Sequence, residues 1–157
     1  MSMITEVCYG YGIDASKLER DFIKMNPDFE SAYDKIMMIL DDAPMFREDY
    51  MEWLDDNMME LNEEGIEFCF EWEKFSKGLG EILKSIILEK FNLDLENVYD
   101  EESGNYFLMF SPTYPWLLTS NEKVLTEDEL KNIFNRYSMI LCNYKVESGM
   151  VRAEYCC

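Results

Sequence analysis

Phe75, Leu79, Ile82, Leu83, Ile86, Ile87 and Phe91 recur at helical spacing over seventeen residues, and that rhythm fixes one element before anything else in the chain is considered. At 3.6 residues per turn they share one face, so the segment from Phe75 to Phe91 reads as a helix that other elements must cover. Gly78 and Gly80 near its start either weaken the first turn or let another element approach closely.

The covering elements can be read from the flanks. Met3 to Tyr9 alternates as a strand that ends at a Gly10 and Gly12 turn. Asp14 can cap a helix from Ala15 to Met25, with Leu18, Phe22 and Met25 on one side. After Asn26-Pro27-Asp28, the residues Phe29, Ala32, Tyr33, Ile36, Met37 and Leu40 trace a second amphipathic helix, stopping near Asp42-Ala43-Pro44. A third helix is expected from Phe46 to Glu63, with Phe46, Tyr50, Trp53, Leu54, Asn57, Met58 and Leu61 as its stripe, closed by Glu64-Gly65. Phe68, Phe70 and Trp72 alternate with Glu67, Glu71 and Glu73 in a strand pattern, though a helix running onward competes with it.

The second half looks richer in strands. Asn97 to Asp100 and Asn105 to Phe110 flank a hairpin turn at Glu101 to Gly104. Pro112 and Pro115 interrupt regular structure. Thr126 and Glu129 form a capping box that opens a helix carrying Leu130, Ile133, Phe134 and Tyr137. Ile140 to Val146 and Met150 to Cys156 read as a second hairpin about Ser148-Gly149. The sum is a single α+β domain over residues 1–157, with about four to five helices on one side of a small, mostly antiparallel sheet. A chain of 157 residues can bury a sufficient core without staples.

Charge sets the function classes. The chain carries 14 Lys and Arg against 33 Asp and Glu, a net charge of −19, with no His. Residues 28–74 hold sixteen acids against Lys35, Arg47 and Lys74, so −13 of that charge falls in less than a third of the sequence. Direct nucleic-acid binding is disfavoured, because phosphate affinity is carried by Lys and Arg, and anionic membrane surfaces repel the chain. Without His, the Ser-His-Asp and Cys-His arrangements are excluded. No apolar run is long enough to span a bilayer and no signal peptide is evident, so the cytoplasm is the expected compartment. Five Cys, with Cys156 and Cys157 adjacent and no CxxC spacing, suggest free thiols rather than a disulfide framework or a zinc ribbon.

The acidic helix is therefore the candidate site. Glu48, Glu52, Asp55, Asp56 and Glu63 lie away from the apolar stripe, with Asp49 and Glu60 on its flanks and Glu64 after them. One helical turn, about 5.4 Å, separates such carboxylates, a spacing similar in scale to that of phosphates along a nucleic-acid strand. Charge runs are usually solvated faces that favour solubility. The functional alternative is a carboxylate surface complementary to a basic groove, with each acid a phosphate-like partner for Lys or Arg. The expected function is then a non-enzymatic inhibitor or nucleic-acid mimic whose partner is a basic nucleic-acid-binding protein such as a nuclease, as in a phage counter-defence or nuclease-immunity protein. Tyr114 and Trp116, in the Tyr114-Pro115-Trp116 segment, are the best non-acidic contact candidates, serving a general protein-interaction module in the competing reading. A carboxylate metal enzyme ranks third. Pairs such as Glu48 with Glu52 or Glu67 with Glu71 share a face, but there is no EF-hand register and no His to complete a centre, so no metal or other cofactor is expected.

Overall fold

The computed structural model describes residues 5–56, 78–110 and 127–156. In chain order the elements are β1 (Thr5–Asp14), α1 (Ala15–Met25), α2 (Phe29–Leu40), α3 (Pro44–Asp56), α4 (Leu79–Phe91), β2 (Glu96–Asp100), β3 (Asn105–Phe110), α5 (Glu127–Cys142) and β4 (Gly149–Cys156). The strands form one sheet in the order β2-β3-β1-β4, and every pairing is antiparallel. It is an α+β domain, with five helices and four strands among the described residues, as the sequence pattern implies.

The helices pack where their stripes dictate. α1 lies against β3, α4 against β2 and β3, and α5 against β1. Ile82, Leu83, Ile86 and Ile87 of α4 are fully buried together with Ile13, Leu18, Phe22, Leu108 and Phe134. Alternation along β3 sends Leu108 into this core and the neighbouring Met109, equally buried, to the opposite face of the sheet. Met109 pairs with Gly12, and the buried Ala153 lies on the same face by the β1–β4 register.

The sheet also curls. The N–H of Glu154 on β4 donates to Asp100 Oδ1 at 2.8 Å, and the N–H of Glu101 donates to the Glu154 carbonyl at 2.8 Å. The end of β2 thus touches β4, its opposite number at the far edge of the sheet.

Three expectations need correction. β1 does not turn at Gly10 and Gly12 but runs on to Asp14. Gly12 is there because a Cβ would collide with the Leu108 carbonyl and sit 2.7 Å from Met109 Cα, so glycine lets β1 and β3 approach rather than letting the chain reverse. The second hairpin is also absent: Ile140 to Cys142 belong to α5, and β4 pairs with β1 instead. Leu141 and Cys142 are buried on the same helical stripe as Leu130, Phe134 and Tyr137, so packing overrides the strand-like local composition. Asn143, with φ of 58°, then stops the helix.

Elsewhere the helix boundaries agree at α1 and α2, and the β2–β3 hairpin is present. α3 begins at Pro44, two residues before Phe46, because proline is pre-set for the first helical position. The core helix starts at Leu79 and not at Phe75, because Gly78, at a φ of 77° and with Glu19 packed where a Cβ would sit, stands outside it as the N-cap. The expected continuation of α3 to Glu63, the Phe68–Trp72 pattern, Phe75 itself, the Pro112–Trp116 segment and the Thr126 cap lie outside the described residues.

Candidate protein-docking face

α3 is fixed from its inner side. Tyr50 and Trp53 are buried with ring centroids 5.7 Å apart, and Phe46 packs on Tyr50 at 6.4 Å. Its first turn has no local cap. The Glu89 carboxylate, from the last turn of α4, instead accepts from the N–H groups of Met45 and Phe46, each at 3.0 Å. A negative group at a helix N-terminus is stabilised both by those unpaired donors and by the helix dipole.

With the inner side anchored, the outer side presents Met45, Arg47, Glu48, Asp49 and Glu52, all exposed. At 100° per residue the three carboxylates share an arc of about 100°. The structure therefore brings Glu48, Asp49 and Glu52 together, and Asp55 and Asp56 are the last two residues of the same helix. Glu60, Glu63, Glu64, Tyr114 and Trp116 lie outside the described residues. A broad depression of about 660 Å³ lies against Met45, Arg47, Glu48, Met51 and Glu52, mixing thioether surface with carboxylates. Met45 is 76% exposed. Sequence periodicity missed it because the apolar stripe starts only at Phe46.

Several other carboxylates on the described elements have structural duties. Asp14 accepts from the Lys17 N–H at 3.0 Å and from Asn105 Nδ2 at 3.1 Å. Asp28 caps α2 through the Ser31 N–H and hydroxyl at 2.9 and 3.0 Å, which hold its pKa below the usual carboxylate value. Glu19 accepts from the Leu79 N–H at 2.7 Å, capping α4 from α1. Asp42 takes a two-point contact from Arg136 at 2.7 and 2.8 Å and the Tyr137 hydroxyl at 2.9 Å. Hydrogen bonding by Arg136, reinforced by Tyr137, lowers its pKa, while burial and then the Asp42 contact raise that of Tyr137. Asp100 is bound by the Ser103 hydroxyl at 2.6 Å and by the Glu154 N–H, and its pKa is lowered in that order of cause.

Glu48 and Glu52 differ from all of these. Neither makes a hydrogen bond or ion pair with any described residue, and the adjacent cation, Arg47, turns to Asp41 at 3.5 Å. Two carboxylates one turn apart without a counter-charge repel by a few tenths of a kcal/mol. What the arrangement can do chemically is receive a cation. Among the described residues no three His, Cys, Asp or Glu side chains converge as a metal ion requires. The buried thiol of Cys142 is pushed up to about 11, first by burial and then by Asp21, and donates to the Leu18 carbonyl at 3.8 Å. A thiol so placed is not a nucleophile at neutral pH. Among the described residues no helix is long and apolar enough to cross a membrane.

No protein family matches the sequence, and neither a curated protein nor a solved structure shows a match to the chain.

Proposed function

We propose that this protein acts without catalysis, as an acidic binder that sets the outer face of α3 against the basic surface of a nucleic-acid-processing protein. The observation that carries the reading is the contrast between Glu48 and Glu52, which make no bond to the described fold, and Asp14, Asp28, Asp42, Asp100, Glu19 and Glu89, which each hold part of it together. Unneutralised carboxylates on a packed helix are pre-organised partners for Lys or Arg, and they speed encounter through the long-range field. Met45 and Met51 beside them add adaptable apolar contact.

The test is affinity capture from a lysate at low salt with the protein and with its Glu48→Lys/Glu52→Lys double variant, eluted on a salt gradient and challenged with duplex DNA. The expected result is a basic nucleic-acid-binding protein that elutes with salt, is displaced by DNA and is lost from the variant. Retention of the same partners by a folded double variant would overturn the reading. Loss on Trp116→Ala but not on charge reversal would move the contact to the aromatic segment.

A further inference from the structure

β4 is an edge strand, and its outward backbone can be read from the ladder. Its register with β1 is unbroken from Thr5 with Cys156 to Gly12 with Gly149. In an antiparallel pair, residues that exchange both hydrogen bonds alternate with residues that exchange none. Glu154 sends its N–H to Asp100 and its carbonyl to Glu101, so the Val7–Glu154 pair is of the second kind. By alternation so are Tyr9–Arg152 and Tyr11–Met150, which aims the N–H and C=O of Met150 and Arg152 away from β1. The Asp100–Glu101 contact ends at Glu154 and leaves those four groups without a partner among the described residues. Such a row is a template for one more strand.

Side chains around the edge specify that strand. Met150 is 71% exposed and lies on the same face as Tyr9, itself 61% exposed. A cleft of about 350 Å³ at the Gly149 end of β4 is walled by Met150 and, from the other face of the strand, Val151, together with Phe107, Asp14, Glu147 and Lys17. Its apolar walls suit the stem of a long side chain, and two carboxylates against one ammonium favour a cationic tip. A second copy of the chain is disfavoured as occupant because each copy carries −19.

We infer that the β4 edge receives an extended segment of a basic partner as a fifth strand, with apolar residues over Met150 and alternate Lys or Arg side chains entering the cleft. Main-chain hydrogen bonds supply the affinity and the alternate side chains the selectivity. This inference does not depend on α3.

The probe is a synthetic octapeptide alternating valine and lysine, prepared unmodified, N-methylated on its valines, and N-methylated on its lysines. Residues facing Met150 place their amides inward, so methylated valines should weaken binding by about tenfold, the equivalent of one or two lost hydrogen bonds. Methylated lysines should bind as the unmodified peptide does. The amides of Met150 and Arg152 should gain exchange protection on binding. Met150→Pro removes the outward donor without touching the β1 ladder and should abolish binding, whereas Met150→Ala should only reduce it. Equal binding by the two methylated peptides, or no protection at Met150 and Arg152, would overturn the inference. Protection of those amides that rises with protein concentration in the absence of peptide would assign the edge to a second copy and overturn it equally.

Discussion

Asp42 shows how much one carboxylate can hold. Its side chain is 10% exposed and joins the turn after α2 to α5 through Arg136 and Tyr137. Because folding lowers its pKa, its contribution is present above the unfolded value of about 3.9 and is lost as pH falls through the lower folded value. Asp42→Asn should therefore cost about 1 kcal/mol at pH 7, toward the lower end for charged hydrogen bonds because half-exposed Arg136 is screened by solvent. The gap in urea midpoint between the two proteins should close near pH 2. A gap independent of pH would mean that shape rather than charge is at work. Backbone crowding gives a second residue-scale prediction: Gly12→Ala should destabilise by about 1–3 kcal/mol while Gly149→Ala, with open space around it, changes thermal stability little. Asp14 and Asp28 are legible in the sequence because a cap and its helix are three residues apart. Asp42 is not, because Arg136 is 94 residues away.

The same distinction governs whole elements. α1 and α2 carry their start signals in their own sequence and appear where periodicity places them. α3 and α4 do not: their first N–H groups are satisfied by Glu89 of α4 and Glu19 of α1, so each depends on a neighbour being docked. Glu89→Ala should accelerate amide exchange at Met45 and Phe46 and cost about 1 kcal/mol of stability, with α4 itself unchanged. Protection at α4 falling as much as at α3 would mean the substitution acts through packing. The C-terminal misreading has a related cause. Ile140, Leu141 and Cys142 suit a strand locally, and only burial against α1 and the sheet keeps them helical. A strand paired across the chain leaves no short-range mark of its partner, so Met150 to Cys156 was readable as a strand but not as the neighbour of β1.

For the molecule as a whole, charge and stability pull in opposite directions. Net charge of −19 makes the folded state repel itself, so raising ionic strength through the range that screens surface charges should increase the urea midpoint. Neutralising the α3 face with Glu48→Gln and Glu52→Gln should do likewise at low salt, by a few tenths of a kcal/mol, while weakening capture of the basic partner. If the double variant were instead less stable, Glu48 and Glu52 would belong among the structural carboxylates and the docking face would lose its basis. The candidate face was legible as a concentration of acids in residues 28–74, but the separation of working carboxylates from unengaged ones needed the three-dimensional partners. The long pairing of β1 with β4 also orders the birth of the fold. More than a hundred residues separate β1 from Gly149–Cys156, so at 5–20 residues per second β1 waits on the order of ten seconds for that flank. Throughout that interval Val7 and Tyr9 border an unzipped strand, and a ribosome stalled before Gly149 would release a chain whose central strand is open to any other strand it meets.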